Sequence, residues 1–398
     1  MGEWKNVRVG ELGKIITGKT PKTSISDNYG GRIPFLTPSD NMSVKYVGKT
    51  SKTLTEKGLL EVKNVILPEN SVCVSCIGSD LGKAVITTCP TVTNQQINSI
   101  IVDEKSFDVS FVYYAMQILG KKMNFISKTS TAVPIVNKSS FSSYEIKCPP
   151  REDQKRIAAV LSALDSKIEC NKKINDNLEQ QAVALFKSWF VDFSLFGGTV
   201  PENWEDTTLE NITTLITRGI APKYSDNSDQ TVVNQKCIRN HTIDLSLART
   251  HTPKAINEKW LKFGDLLINS TGDGTLGRVA QVWFAPKALT VDSHVTIVRP
   301  AREELIFYIG LWGILHEKEI ESLHTGSTGQ TELPRDRVKM LKLLLPDNIS
   351  LSRFNSIIAP MASTIISNQE ENQKLASLRD TLLPKLMSGE IDVSSIQL

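Results

Sequence analysis

The sequence predicts an α+β protein built from two copies of one unit, each a mixed globular segment followed by a long helix, with the two helices paired antiparallel as an intramolecular coiled coil. Three observations predict this. Apolar residues recur at alternating four- and three-residue steps for more than four heptads, a second ladder of the same design follows 197 residues later, and strand-like runs precede a helical one in the stretch before each ladder.

The first globular segment covers residues 1–150. Strand-like runs stand at RIPFL (32–36), SVCVSCI (71–77), KAVITT (83–88) and INSIIV (97–102), the last three rich in β-branched side chains, and FVYYAMQIL (111–119) then reads as a helix. Strands gathered ahead of the helix, rather than alternating with helices, favour α+β over a doubly wound sheet.

The first long helix is assigned to 151–195. Its ladder is Ile157, Leu161, Leu164, Ile168, Asn171, Asn175, Leu178, Ala182, Leu185 and Trp189, flanked by Lys, Glu, Gln, Asp and Ser. From Ile157 to Trp189 it is roughly 48 Å long at about 1.5 Å per residue. A helix this long with one apolar seam requires a partner seam. After it, FGGTVPENW (196–204) carries the Gly and Pro of a boundary turn.

The second segment, 200–346, mirrors the first with DLLINST (265–271), RVAQVWF (278–284), HVTIVRP (294–300) and a helical LIFYIGLWGIL (305–315). The second helix, in 347–398, repeats the ladder as Phe354, Ile358, Met361, Ile365, Asn368, Asn372, Leu375, Arg379, Leu382 and Leu386. Both asparagines recur and lie at the centre of each seam. Antiparallel pairing about a pseudo-twofold is the simplest way to bring these polar layers together, although parallel in-register pairing would match them too; there they penalise a slipped register by setting an amide against Leu or Ile, the other reading being a solvated or frayed middle. Pro360 and Pro384 fall inside the second seam, so that helix is expected to begin near Pro360 and to kink or end near Pro384.

Composition limits the chemistry. The chain has 398 residues, 40% hydrophobic, with a net charge of +3, so a basic nucleic-acid surface is permitted without being announced. No run resembles a signal peptide or a membrane span, and the six cysteines read as reduced thiols of a cytoplasmic protein, the lone Cys73-x-x-Cys76 lacking a second pair at zinc spacing. GSDLGK (78–83) and GDGTLGR (272–278) are near misses to a phosphate-binding P-loop; what recurs is only Leu-Gly-Lys/Arg, either a phosphate contact or a solvated hairpin tip. Asp40 with Glu61 and Lys63, and Glu145 with Lys147, give loose nuclease-like patterns that do not recur in the other half. All five histidines lie in the second unit, and no Asn/Asp-Pro-Pro-aromatic tetrad of an amino-methyltransferase appears. On its residues alone the chain is a binding and spacing device.

Several stretches carry a family resemblance: LRDTLLPKLMSGEI (378–391), the Trp-opened WKNVRVGELGKIITGKTP (4–21) and WEDTTLENITTLITRGIAP (204–222), GSTGQTELP (326–334), and PPREDQKRIAAVLSALDSKI (149–168). Together they resemble the DNA specificity subunit of type I restriction–modification enzymes over the whole chain, in the order target-recognition domain, conserved helix, target-recognition domain, conserved helix. Arg379 in place of Ala182 departs from the symmetry of the seams. The resemblance implies a non-catalytic subunit that binds double-stranded DNA, each recognition domain reading one half of a split site. It implies docking of two modification subunits, which bind S-adenosylmethionine and methylate adenine, and of restriction subunits that use ATP. This chain then holds no cofactor and no metal. Matched positions suggest DNA-contacting residues: Lys19 and Arg218 beside the glycines of the first loop, Lys83 and Arg278 after Leu-Gly, and Ser130, Thr131, Ser327, Thr328 and Gln330 on the loop before the last strand. Cations there suit phosphates; Gln, Ser and Thr reach base edges. The alternative is a stand-alone DNA-binding regulator with a coiled-coil spacer. Loop residues do not translate into the bases recognised.

Overall fold

The computed structural model describes residues 3–128, 135–326 and 331–396. They form two compact units, the first made of 1–170 with 371–398 and the second of 171–370. Each unit therefore owns one globular segment and half of each long helix.

In the first unit the main sheet runs Gly13–Thr17, Ile97–Val102, Ser71–Ser75, Ala84–Thr87 and Tyr46–Val47, antiparallel up to the last, parallel pair. The helix Val109–Lys128 covers one face, burying Phe111, Ala115, Met116 and Leu119 against Val72, Val74, Ala84, Ile86 and Ile100. The second unit repeats this with Thr213–Arg218, Val295–Pro300, Leu266–Asn269 and Val279–Gln281 under the helix Ile306–Leu315. Each of the strand- and helix-like runs named above falls on one of these elements or, for 32–36, on Tyr29–Leu36.

The duplication extends to pairings that sequence pattern did not reveal. Lys5–Arg8 pairs antiparallel with Glu145–Cys148, and Glu205–Thr208 pairs antiparallel with Lys342–Leu345. In each unit a small sheet has a central strand bonded antiparallel on one side and parallel on the other: Tyr29–Leu36 between Lys52–Leu54 and Val92–Thr93, and Thr231–Val233 between Arg249–Thr250 and Leu289–Val291. The hairpin Ile238–Arg239/Thr242–Ile243 belongs to the second unit.

The long helices are Arg151–Phe190, of 40 residues, and Asn348–Ser388, of 41. Within each unit their halves run antiparallel. In the first, Lys167 Nζ meets Glu371 Oε2 at 3.1 Å and Arg379 Nη1 meets Asp165 Oδ1 at 2.9 Å. In the second, Phe186 and Phe190 pack edge-on against Phe354, and Asn368 Nδ2 donates to Asn175 Oδ1 at 2.8 Å while Asn175 Nδ2 donates to the Ile365 carbonyl at 3.3 Å. Asn171 is buried and Asn372 half-buried. Arg379, the departure from the ladder, is held by Asp165 rather than by apolar contact.

The expectation that prolines shorten the second helix is corrected: it is continuous through Pro360 and Pro384. Both prolines lie on the exposed face. The carbonyl that each deprives of its partner can turn to water, while buried neighbours Ile358 and Ala362, and Leu383 and Leu386, hold the backbone helical against the local cost.

The recurring Leu-Gly-Lys/Arg has a packing explanation. Gly82 (φ +88°) and Gly277 (φ +82°) occupy the left-handed region. A Cβ on Gly82 would lie 2.2 Å from the carbonyl oxygen of Gly120 on the covering helix, and one on Gly277 would lie 2.6 Å from Glu321 Cβ. Gly82→Ala should therefore cost at least about 2 kcal/mol, combining left-handed strain with the clash, in urea unfolding. The seam gives a second outcome. Asn368→Leu alone takes the donor from the buried Asn175 Oδ1 and should cost about 1–3 kcal/mol, whereas Asn175→Leu with Asn368→Leu should return to within about 1 kcal/mol of the parent, seen as a coupling in a double-mutant cycle.

Candidate nucleic-acid interface

At one end of the first unit's main sheet four loops meet. Gly18 N–H donates to the Ile97 carbonyl (3.1 Å), Lys19 N–H to Thr93 (2.9 Å), Cys76 N–H to Gln96 (2.8 Å) and Val136 N–H to Cys76 (3.0 Å), and Ile77 forms a bridge with Ile135. The second unit reproduces the frame bond for bond. Gly219 N–H donates to Val295 (3.1 Å), Ile220 N–H to Val291 (2.9 Å), Ser270 N–H to His294 (2.8 Å) and Leu333 N–H to Ser270 (2.8 Å), with a Thr271–Glu332 bridge. Gly18 and Gly219 are the recurring glycines of the first loop because the chain crosses a strand there. A Cβ would lie 2.2 Å from the Asn94 carbonyl oxygen in one and 1.9 Å from that of Val291 in the other.

The cations selected from sequence are unequal. Lys19 is exposed on the first of these loops. Arg218, at the end of its strand, is half-buried; its Nη1 meets Glu332 Oε1 at 2.5 Å and its Nη2 donates to the Leu333 carbonyl at 2.9 Å, so it braces the incoming segment. Lys83 is ion-paired with Asp80 at 2.5 Å, and Arg278 Nη2 donates to the Gly274 carbonyl at 2.7 Å. Ser130, Thr131, Ser327, Thr328 and Gln330 lie outside the described residues. The Cys73 and Cys76 thiols are buried and accept from Ser99 Oγ and Asn98 Nδ2; burial pushes the Cys73 thiol up to about 12, far from the thiolate that a zinc site needs.

Around this frame stand polar groups that motif reading missed. In the first unit Thr20 Oγ1 donates to Gln95 Oε1 at 2.6 Å, and Asn94 Nδ2 donates to Gln96 Oε1 at 2.9 Å. In the second, Thr271 Oγ1 lies 3.2 Å from Gln235 Oε1 and 2.7 Å from His294 Nδ1. Burial raises the Asp292 carboxyl above its ordinary range against the opposing His294 N–H bond. Glu61, beneath the first loop, is held below its ordinary range by the Lys22 N–H and then the Asn28 amide. The polar run TNQQ (93–96) between two apolar strand runs was the available signal.

Such an end surface offers cations for phosphates and amides for base edges. Lys19→Ala, removing an exposed cation whose charge also acts on the nearby Glu61 carboxylate, should weaken DNA binding about equally across sequences and reduce the slope of log K against log salt by about 1, measured by titration at several salt concentrations.

Comparison with known proteins bears on this surface. Residues 1–180 match a family profile described as "Type I restriction modification DNA specificity domain". The chain is 28% identical over 424 residues to the "Type I restriction enzyme MjaIX specificity subunit" of Methanocaldococcus jannaschii, covering 99% of this chain and 95% of that relative. It is 32% identical over 180 residues to the "Type I restriction enzyme HindI specificity subunit" of Haemophilus influenzae, covering 44% of this chain and 39% of that relative. In fold it is similar to the crystal structure of a type I restriction–modification system S subunit from M. genitalium, with a TM-score of 0.56 and 16% identity, over 97% of this chain and 96% of that one.

Proposed function

We propose, from the premise that the chain belongs to the family of type I restriction–modification DNA specificity subunits, that it reads a bipartite duplex site with one recognition segment per half, docks two adenine methyltransferase subunits, and performs no chemistry itself. One observation supports this reading above the rest: both units carry the same hydrogen-bonded loop frame, each on halves of two uninterrupted helices. A duplicated reader fits two half-sites, and a continuous helix pair fits a fixed gap between them. S-adenosylmethionine and ATP then belong to the modification and restriction subunits, and the complex works in the cytoplasm with the chromosome.

A stand-alone regulator is the second reading. It needs a seam between chains to dimerise, whereas here the seam residues of each helix half are satisfied within the chain, Asn175 by Asn368 and Asp165 by Arg379. Co-expression separates the two: the family reading expects the modification subunits to co-purify with this chain, and the regulator expects them to be lost.

Replacing 205–346 with the corresponding segment of a relative should change one half of the methylated site, read by modification-sensitive sequencing, and leave the other half intact; changes in both halves refute independent readers. Inserting one heptad into each helix at matched layers keeps the seam and adds about 10 Å at about 1.5 Å per residue, about three base pairs at roughly 3.4 Å. Three pairs also rotate the duplex by about 100° at roughly 10.5 pairs per turn. Methylation at the original gap should be lost or much weakened, and full methylation there means that the helices do not set the gap.

A further inference from the structure

We infer, resting on the function proposed above, that Gln95 and Gln235 are the base-reading amides of the two units, each held in position by a threonine hydroxyl, with adenine as the base each selects.

The case in the second unit begins with three loops delivering one side chain each. Gln235 follows the strand Thr231–Val233, Thr271 follows Leu266–Asn269, and His294 precedes Val295–Pro300. Thr271 has one hydroxyl hydrogen, which it gives to Gln235 Oε1, so at 2.7 Å it accepts from a His294 Nδ1–H. The Gln235 backbone is fixed separately, its carbonyl accepting from Asn269 Nδ2 at 3.0 Å. Room for the amide is made by Gly272 (φ +101°), where a Cβ would lie 2.8 Å from Gln235 Oε1. Gln235 and Thr271 are half-buried and His294 is exposed, so the amide is held yet reachable.

What remains free decides the ligand. Among the described residues Gln235 Nε2 makes no hydrogen bond, and Oε1 keeps a second lone pair. A donor beside an acceptor on a planar amide matches N7 and N6–H of adenine in the major groove. The exposed carboxylate of Asp273, on the adjoining loop, disfavours a phosphate there and favours a base edge.

The first unit reaches the same device from different loops. Thr20 Oγ1, after the strand Gly13–Thr17, donates to Oε1 of the exposed Gln95 at 2.6 Å, and the Gln95 NH2 group makes no hydrogen bond among the described residues. These positions do not correspond under the repeat: the shared hydrogen bonds place Gln96 opposite His294 and Cys76 opposite Ser270. Two units that share a frame thus arrive separately at a threonine-oriented glutamine on it. The threonines touch the glutamines and act as positioning residues.

The test uses the full chain in complex with its modification subunits, incubated with randomised DNA duplexes, the bound fraction being sequenced. Gln235→Ala should lower discrimination at one position of one half-site about 10- to 100-fold, and Gln95→Ala should do so at one position of the other, with melting temperature and salt slope unchanged. Thr271→Ser should retain the discrimination and Thr271→Val should lose part of it, as should Thr20→Ser and Thr20→Val in the other half. A uniform loss of affinity with a shallower salt slope makes these phosphate contacts and overturns the inference, as does an unchanged sequence preference. If the parent complex enriches no sequence at all, the functional reading itself fails and takes this one with it.

Discussion

Antiparallel pairing of the two long helices is the constraint from which the rest of the structure follows. Neither globular segment has a complete core without it. In the first unit Ile157 and Leu161 of one helix and Leu383, Leu386 and Met387 of the other close the core beneath Tyr114 and Phe141; in the second, Phe186 and Phe190 meet Leu351, Phe354 and Ile358 around Tyr308. Each unit takes the start of one helix and the end of the other, an arrangement that parallel pairing could not supply. The Asn175–Asn368 bond then has a clear physical use. An amide pair adds little net stability over an apolar pair, but a slip of the seam would desolvate both amides and would also misplace every aromatic ring of the core.

How much of this was legible depends on whether the signal is local. The 3.5-residue period, the strand-like apolar runs and the 197-residue repeat are properties of the chain's own pattern, and they located both helices and three strands of each main sheet, but not Gly13–Thr17, Tyr46–Val47 or Thr213–Arg218. The pairing of Lys5–Arg8 with Glu145–Cys148 was not legible: four polar-rich residues carry no strand pattern of their own, and their partner is contributed by tertiary folding. The prolines misled for a related reason. Proline's local cost is real, but at Pro360 and Pro384 it falls on the solvent face of a helix whose buried face is already committed.

The candidate interface divides along the same line. Motif reading weighs a lysine or arginine by its charge, yet Lys83 and Arg218 are ion-paired at the surface with Asp80 and Glu332 and take part in bracing their loops. The recurring Leu-Gly-Lys/Arg was read as either a phosphate contact or a solvated hairpin tip; Gly82 and Gly277 are there because a helix backbone or side chain fills the space a Cβ would need. The amides were missed because a glutamine becomes informative only when its partner is known, and Thr20 and Gln95 lie far apart in sequence.

Comparison of the two units separates what the frame requires from what the loops are free to vary. Buried positions differ widely between them. The second unit holds Arg299 bidentate on Asp265, at 2.8 and 2.7 Å, where the first has Ile101 and Ser71 at the matching strand positions. The cross-loop hydrogen bonds survive these changes because they run between backbone groups, which every residue but proline supplies, and need a small residue only at the crossing. Side chains on such a frame can be exchanged without disturbing the positions from which they project. That is the physical condition for one scaffold to carry two different sets of loop side chains in a single chain.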